Sequence, residues 1–336
     1  MSELPQVDVI ILSWNRTEDT LAAIQSAADQ CDVDHRILVV DQGSEPECLA
    51  RLETLLATLP NARLKKLSQN MGVPGGRNIA AAMGNAPYIV ALDSDAVFAD
   101  NRVLARAAQA LAENSQLCAV AFAIINYFTG DTDWSSWDYP KHYSPARQFS
   151  TTRFVGAGHA IRRTTFESVG GYDERLMFCG EELDVCYRMI NTGQRIVYMP
   201  SLAVLHKVAR EHRVFWERGR YYQSVRNALY SLYKFGTPWP RLALAAGAFY
   251  IRGLRNGIAN EAARGMLDSV TLCRDFTRSH GAKEVYSLTP DTWDYIRECE
   301  PTRNESVVTK LRRQFVPLPQ QSRELQPAKA NTVSAT

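Results

Sequence analysis

The sequence predicts an α/β fold, with a mixed, mostly parallel sheet flanked by helices and a C-terminal helical extension. First, apolar runs of strand length alternate with segments of helical spacing in the front third, as in parallel sheets covered by helices. Second, these runs are apolar throughout, as expected of strands buried on both faces. Third, three of the runs are followed by the polar residues Asn15, Asp41 and Asp93. Because ligands of such sheets bind beyond the carboxyl ends of the strands, these residues predict one shared crevice.

The elements of the front third follow each other closely. Leu21, Ile24 and Ala28 give the first predicted helix one apolar side. A Gly-rich loop, QNMGVPGGRN, leads into the third predicted helix. The predicted strands are residues 7–13, 36–41, 62–68 and 87–93, and the predicted helices between them are residues 17–28, 48–59 and 77–83.

The remainder of the chain changes character twice. A helix from Glu181 to Asn191 is expected to end at Gly193, which is a common stop signal. From Val214 the sequence becomes aromatic and basic with helical spacing. We therefore expect a catalytic domain at 1–210 (nucleotide-binding half about 1–100, acceptor half about 101–210), a helical region at 211–315 and a disordered tail at 316–336.

Composition and charge exclude several classes of protein. The chain has 336 residues and a formal net charge of +2, so it lacks the basic excess of a nucleic-acid-binding protein. Its seven cysteines contain no CxxC pair, which favours reduced thiols in the cytoplasm over a disulfide framework or a zinc ribbon. The N-terminal segment does not resemble an export signal. The longest apolar candidate, Leu242 to Ile251, is interrupted by Arg252 and falls short of the roughly 18 residues of a membrane span.

The stretch VALDSDAVF places two carboxylates, Asp93 and Asp95, on either side of Ser94 at the end of a predicted strand. Like charges this close repel each other unless a cation lies between them. Mg²⁺ and Mn²⁺ prefer oxygen ligands, and two carboxylates leave coordination positions for a diphosphate. The structural alternative is a solvated turn in which Asp93 caps the following helix.

Two further segments suit a nucleotide. Asp41, at the end of a neighbouring strand, can accept hydrogen bonds from a base or a ribose hydroxyl, although a turn-forming role is equally consistent with the sequence. The Gly-rich loop can bring backbone N–H groups and Arg77 toward phosphates. It matches neither a P-loop nor G-x-G-x-x-G, which argues against kinases and dehydrogenases.

A third acidic group opens the helix in GEELDVCYR, where Glu181, Glu182 and Asp184 lie within one turn. The helix dipole partly offsets their repulsion, and a carboxylate near a bound cation is a reasonable general base. An acidic helix start on the surface is the simpler interpretation of this segment alone. His206 closes an apolar run, and by itself it indicates a structural histidine more than a ligand.

Taken together, the motifs resemble the family 2 glycosyltransferases over about residues 7–206. They are VIILSWNR, ILVVDQGS, NMGVPGGRN, VALDSDAV, GAGHAIRRTTFESVGGYDER and GEELDVCYRMINTGQRIVYMPSLAVLH. The resemblance implies the GT-A fold, a Rossmann-like sheet. It also implies transfer of a sugar from a nucleoside diphosphate to an acceptor hydroxyl, usually with inversion. The segments YYQSVRNALYSLYKF and RGMLDSV look like bacterial rhamnosyltransferase-like members, which extend surface polysaccharides or glycolipids on lipid carriers.

The resemblance also implies roles for individual residues. Glu182 stands where the family has its general base, with Glu181 as the alternative. Asp93, Asp95 and His206 would bind Mn²⁺ or Mg²⁺. The residues expected to contact the nucleotide sugar are Ser13, Trp14, Asn15, Asp41, Arg77, Asp93, Ser94, Gly158 and Asp184.

Two features leave alternatives open. An aromatic loop can form a platform for a glycan or lipid-linked acceptor, or it can be pinned to the core. Its members are Trp134, Trp137, Tyr139 and Tyr143. The apolar stripe of LALAAGAFYIRGLRNGI, with basic neighbours, fits either an anionic membrane surface on the inner face of the cell membrane or packing on the catalytic domain. Its members are Leu244, Ala248, Ile251, Leu254 and Ile258.

Two other functions compete with glycosyl transfer. A non-catalytic nucleotide- or glycan-binding module would not need the two aspartates, the acidic helix start and the histidine together. A nucleotidyltransferase that makes the sugar nucleotide usually carries a Gly-rich basic signature near its first strand, and ILSWNRTED lacks one.

Overall fold

The structure is a computed structural model that describes residues 4–207, 218–280 and 287–300. These residues lie within one compact unit, Met1–Asn304. The tail predicted at 316–336 lies outside the described residues, as do residues 211–217, 281–286 and 301–315 of the predicted helical region.

One sheet of nine strands forms the centre of the protein. The strands are β1 (Gln6–Ser13), β2 (Asp34–Asp41), β3 (Ala62–Lys66), β4 (Tyr88–Leu92), β5 (Ala96–Phe98), β6 (Leu117–Asn126), β7 (Phe149–Thr151), β8 (Gly158–Arg162) and β9 (Arg195–His206). Their order is β3-β2-β1-β4-β8-β6-β9-β5, and β7 pairs with β9. The strands β1 to β4 are parallel to each other, whereas β8 runs antiparallel to β4 and β6. The mixed, mostly parallel sheet predicted from the sequence is confirmed.

Helices cover the sheet and extend it at the C-terminal end. They are α1 (Thr17–Ala28), α2 (Pro46–Leu56), α3 (Gly72–Ala82), α4 (Val103–Glu113), α5 (Arg163–Ser168), α6 (Glu181–Ile190), α7 (Arg218–Lys234), α8 (Trp239–Arg255), α9 (Ala259–His280) and α10 (Pro290–Cys299). The bounds of α1 match the prediction. The predicted start of α3 at Arg77 is wrong, because the Gly-rich segment itself forms the first turn from Gly72. Among the described helices, none combines the length and apolar character that crossing a membrane requires.

The strand register brings the polar residues to one edge. Ser13 lies opposite Asp41, and Ile11 lies opposite Leu92, in parallel ladders. The carboxyl ends of β1, β2 and β4 therefore meet at the same edge, as the sequence predicts. Buried Val, Ile, Leu and Ala side chains on both faces of these strands hold the edge in place.

Helix α7 packs against the segment that precedes α6. The Asn227 amide lies within hydrogen-bond distance of three carbonyl oxygens there, those of Leu176, Phe178 and Cys179, at 2.7–2.8 Å. Since α6 begins with the predicted base, a C-terminal helix fixes the position of this part of the crevice.

Candidate active site

The first group at the sheet edge, the predicted metal group, consists of Asp93, Asp95 and His206. Strand β4 ends at Leu92, and a tight turn carries Asp93 and Asp95 into β5. Strand β5 then pairs antiparallel with β9, which places Ala96 opposite His206. One ligand atom from each of the three side chains lies within 4.8 Å of the others. Two strands far apart in the chain thus bring the predicted metal ligands together.

The charges around this group explain its geometry. Asp95 Oδ2 accepts a hydrogen bond from Arg16 Nη1 at 2.7 Å, and Asp95 Oδ1 lies 3.5 Å from His206 Nε2. On its other side, His206 Nδ1 lies 3.2 Å from Asp133 Oδ2. Burial lowers the pKa of His206, but Asp133 and Asp95 outweigh burial and raise that pKa to about 9. Burial raises the pKa of Asp95, but His206 and Arg16 together lower it below its ordinary value.

This donor set fits a hard or borderline divalent cation. Two carboxylates and one imidazole are ligands that Mn²⁺ accepts, and the carboxylates suit Mg²⁺ as well. Asp133 holds Nδ1 of His206, so Nε2 faces Asp95 and is the nitrogen available to a metal.

The second group is organised by Arg77. Its guanidinium donates to Asp93 Oδ1 at 2.7 Å and to the Gly156 carbonyl at 2.8 Å, and it lies 3.3 Å from Glu182 Oε1. Only 3% of the Arg77 side chain is exposed. Burial lowers the pKa of Arg77, but Asp93 and Glu182 outweigh it and raise that pKa above its ordinary value. In this structure the donors of Arg77 are directed at two acids of the crevice, and the expectation that Arg77 faces a diphosphate stays a prediction.

The two glutamates at the start of α6 have different surroundings. Glu181 is 2% exposed, and its Oε2 has no hydrogen-bond partner among the described residues. The side chain of Glu182 is 22% exposed and contacts Arg77. Burial, followed by the neighbouring charge of Glu182, raises the pKa of Glu181 to about 8. Burial also raises the pKa of Glu182, against the opposing effect of Arg77. Glu182 is therefore the better placed of the two to meet a substrate.

The predicted nucleotide edge forms a compact loop. Asp41 Oδ2 accepts hydrogen bonds from the backbone N–H groups of Gly43 at 3.2 Å and Ser44 at 3.0 Å. Asn15 has a φ of +53°, and its Oδ1 accepts from the N–H of Glu45 at 2.7 Å. Asp41 is buried in this arrangement and shapes the loop, whereas Trp14 is exposed beside it.

Two residues predicted to contact the nucleotide sugar, Asp184 and Gly158, are buried. Asp184 is fully buried, and its carboxylate pairs with Arg188 at 2.7 Å and with Lys234 at 2.7 Å. Asp184 has no exposed surface, so this geometry does not support a contact with the donor, and its predicted role stays a prediction. Gly158 is buried in β8, and a Cβ there would lie 2.8 Å from Val204. Its missing side chain therefore serves packing between strands.

Gly156, two residues before Gly158, lies against Glu182 and Arg77. A Cβ at Gly156 would lie 2.4 Å from Glu182 Oε1 and 3.2 Å from Arg77 Nη2. Any larger residue would displace the carboxylate from the arginine. Ser94 lies between the two aspartates in the turn and is half-buried.

Several residues of the site were not predicted from the sequence. Arg16 and Asp133 complete the surroundings of Asp95 and His206. Tyr172 lies under Arg77, with the guanidinium 5.7 Å from its ring centre, and its hydroxyl contacts His159 Nε2 at 2.9 Å. No motif signals these contacts, because each joins residues from separate segments.

Part of the aromatic loop packs on the core, and part of it is exposed. Trp137 and Tyr139 belong to a packed cluster with Phe149 and Tyr198, with ring centres 4.6–6.1 Å apart. Trp134 is exposed, and it is the next residue in the chain after Asp133. Packing thus pins the loop, which in turn carries Asp133 to His206.

Comparison with known proteins adds evidence from sequence. Residues 8–170 match the model of glycosyl transferase family 2. A pre-mycofactocin glycosyltransferase of Mycobacterium tuberculosis is 26% identical over 195 residues, which cover 56% of this chain and 40% of that protein. The O-antigen biosynthesis protein RfbC of Myxococcus xanthus is 24% identical over 341 residues, 91% of this chain and 26% of that protein. The chain spans less than half the length of these two relatives.

A solved structure has a fold similar to that of this chain. The mannosyltransferase PcManGT from Pyrobaculum calidifontis, in complex with GDP-Man and Mn²⁺, superimposes with a TM-score of 0.55. It is 17% identical, and the match covers 93% of this chain and 85% of that one. The protein thus has the GT-A fold with a C-terminal helical extension, and its residues 8–170 match a glycosyltransferase family 2 domain.

Proposed function

We propose that the protein is a metal-dependent, inverting glycosyltransferase. It moves a hexosyl or deoxyhexosyl group from a nucleoside diphosphate to the hydroxyl of a glycan or lipid-linked acceptor, in bacterial surface polysaccharide or glycolipid synthesis. One observation carries the proposal: Arg77 contacts both Asp93, of the metal group, and Glu182, at 2.7 and 3.3 Å. This contact supports one crevice for the proposed cation site and the proposed base.

The chemistry follows from the position of Glu182. Its carboxylate accepts the proton of the acceptor hydroxyl as that oxygen attacks the anomeric carbon of the donor. The nucleoside diphosphate leaves from the opposite face of the sugar, which inverts the configuration. Burial raises the pKa of Glu182, and Arg77 opposes this effect and so favours the carboxylate form, which is the form that can accept a proton.

Asp93, Asp95 and His206 would hold Mn²⁺ or Mg²⁺. When bound, such an ion would supply positive charge beside the diphosphate. Asp133 orients His206 for this role, and Arg16 holds Asp95. The complex of PcManGT with GDP-Man and Mn²⁺ supports a nucleotide-sugar donor and a divalent cation for this chain as well.

The proposed location is the cytoplasm, with peripheral contact to the inner face of the cell membrane. All seven cysteines, at positions that the structure describes, are free thiols, which suits a reducing compartment. The similarity to the O-antigen biosynthesis protein RfbC supports a pathway that builds surface glycans.

The products distinguish this function from its competitors. The purified chain is incubated with a panel of UDP-, GDP- and dTDP-sugars and Mn²⁺, and released nucleotide is separated by chromatography. We expect one donor to yield free nucleoside diphosphate, dependent on Mn²⁺ and absent in Asp95→Ala. In a parallel incubation with a nucleoside triphosphate and a sugar phosphate, release of pyrophosphate would instead identify a nucleotidyltransferase. Tight binding of a nucleotide sugar without any product would identify a binding module.

A further inference from the structure

Helix α8 has two apolar faces, and only one of them is covered by residues that the structure describes. Its inner face contributes Leu242, Ala245, Ala246 and Phe249 to a cluster with Tyr221 and Val225 of α7 and Ile258 and Ala262 near the start of α9. The opposite face carries Trp239, Leu244, Tyr250, Ile251 and Leu254, which are 37–78% exposed. Of the stripe noted in the sequence, Ile258 is buried, whereas Leu244, Ile251 and Leu254 point away from the packed side. Packing on the catalytic domain therefore does not account for this face.

The outer face is continuous over the helix. With about 3.6 residues per turn, the five side chains recur along one side of a helix roughly 25 Å long. Pro240, Ala243 and Gly247 lie between them, so the strip contains no polar side chain. Monomeric proteins rarely expose an apolar patch of this extent without a partner.

Charge identifies the kind of partner. Arg241, Arg252 and Arg255 lie along one edge of the strip, and α8 contains no Asp or Glu. An apolar face with tryptophan and tyrosine at its border and arginines beside it fits the interface of an anionic bilayer. Contact between two copies of this face would bring rows of arginines together without an acidic residue of α8 to pair with them.

We propose that the outer face of α8 docks on an anionic lipid surface, with the helix axis parallel to the membrane. The inference rests on the geometry of α8, and it deepens the proposed function by presenting the enzyme to acceptors carried by lipids. Its test does not depend on glycosyl transfer, so the two proposals fail separately.

The experiment is flotation of the full chain with lipid vesicles. We expect at least about tenfold tighter binding to vesicles containing phosphatidylglycerol than to phosphatidylcholine vesicles, and loss of that difference at high salt. Leu254→Glu should reduce binding at least tenfold, because it places a carboxylate in the apolar strip. Arg241→Gln should weaken binding by about fivefold, which matches the loss of one surface arginine.

Leu4→Glu is the matched control, since Leu4 is 56% exposed and Leu254 is 55% exposed. This control should float like the original chain, and circular dichroism should show that both variants are folded. Equal binding of the Leu4→Glu and Leu254→Glu variants would overturn the proposal, as would failure of the original chain to bind anionic vesicles. Light scattering that finds a dimer, broken by Leu254→Glu, would assign the face to self-association instead.

Discussion

Arg77 contacts acidic side chains from two parts of the crevice, Asp93 and Glu182. Asp93 belongs to the metal group and Glu182 to the start of α6, and their carboxylates would repel each other if nothing lay between them. The guanidinium between them has almost no exposed surface, so its attraction is weakly screened. Its ring neighbour Tyr172, held in turn by His159, restricts where the guanidinium can lie. The position of the proposed base is therefore set by a chain of contacts through Arg77, Tyr172 and His159.

Replacing the proposed base should remove chemistry and leave binding. We expect Glu182→Gln to lower turnover by ~10²–10⁴, because general-base help is typically worth that much. Affinity for the nucleoside diphosphate should persist, since the metal group is intact. Steady-state release of nucleoside diphosphate measures the first quantity and calorimetry measures the second.

The control for this variant is Glu113→Gln, which changes an exposed glutamate at the end of α4. It should retain full turnover. Full turnover of Glu182→Gln as well would remove Glu182 from the mechanism and direct attention to Glu181.

The pKa of Glu181 gives a prediction about stability. Burial raises this pKa from 4.5 to about 8, so the folded state holds the proton more tightly than the unfolded state does. The stability that this contributes is present below about pH 4.5 and is lost as pH rises through about 8. Glu181→Gln cannot ionise and should escape the loss, which is on the order of a few kcal/mol at most.

Urea unfolding at pH 5 and pH 9 checks this prediction. Between the two values, the free energy of unfolding should fall less for Glu181→Gln than for the original chain. Glu113→Gln should follow the original chain. The same pH dependence in all three proteins would show that Glu181 ionises normally in the folded state.

The sequence predicted that Asp93, Asp95 and His206 would come together, but it did not predict the residues that surround them. Asp93, Asp95 and His206 follow or end strands, and the strand pattern alone brings strand ends to one edge. The contacts of Asp184 could not be predicted from its nearness to Glu182 in sequence: a step of two residues is about 200° around a helix, and Asp184 pairs with Lys234 of α7. Partners such as Asp133 come from loops whose course follows from packing and leaves no periodic pattern.

At the scale of elements, α7 determines how α6 begins. Lys234 of α7 is buried between Asp173, at 2.8 Å, and Asp184, at 2.7 Å. Tyr230, one turn earlier, also donates to Asp173, at 2.7 Å. The segment from Asp173 to Asp184 contains the turn that leads into Glu181 and Glu182. This helix is therefore part of the support of the crevice.

Removing the shared charge should destabilise the protein strongly. Lys234→Met leaves two buried carboxylates without this cation, which typically costs about 3–5 kcal/mol in the free energy of unfolding. Lys66→Met breaks an exposed pair with Glu53, whose attraction is screened by solvent, and should cost far less than Lys234→Met. Urea unfolding compares the two variants. Equal, small losses would show that Lys234 is not needed to compensate Asp173 and Asp184.

The start of α3 shows where local sequence signals fail. Glycines and a proline in GVPGGRN predict a loop, yet they form the first turns of a helix. Gly72 has a φ of +75°, and a Cβ there would lie 2.4 Å from the Met177 carbonyl oxygen. The glycine thus lets the helix start against the segment before α6, and this tertiary contact is not visible in the sequence.

At the scale of the whole molecule, the C-terminal helices and the sheet depend on each other. The Tyr295 hydroxyl of α10 donates to the carbonyl oxygens of Thr151 and Ile196, at 3.0 and 3.1 Å. Phe235 and Ile296 share a buried cluster with Tyr187 of α6. The division into a catalytic domain at 1–210 and a helical region at 211–315 remains a proposal, and these contacts indicate that the first part needs the second.

A chain that ends at residue 207 should therefore lose its cooperative thermal unfolding. It would expose the buried cluster around Tyr187 and leave Asp173 and Asp184 without Lys234. Circular dichroism during heating measures the transition. The control is a chain that ends at residue 315, which lacks only the predicted tail and should unfold at the original temperature. Unchanged melting of the chain 1–207 would show that the catalytic domain is independent.

The central claim is that one cation and one basic carboxylate share a crevice with a sugar-linked diphosphate. Diffraction at the manganese absorption edge, from crystals soaked with Mn²⁺ and a nucleoside diphosphate, tests it most directly. We predict an anomalous peak bonded to Asp95 and His206 and to a diphosphate oxygen, with Glu182 facing the same cavity. A peak bound elsewhere, or a diphosphate bound away from these residues, would contradict the account.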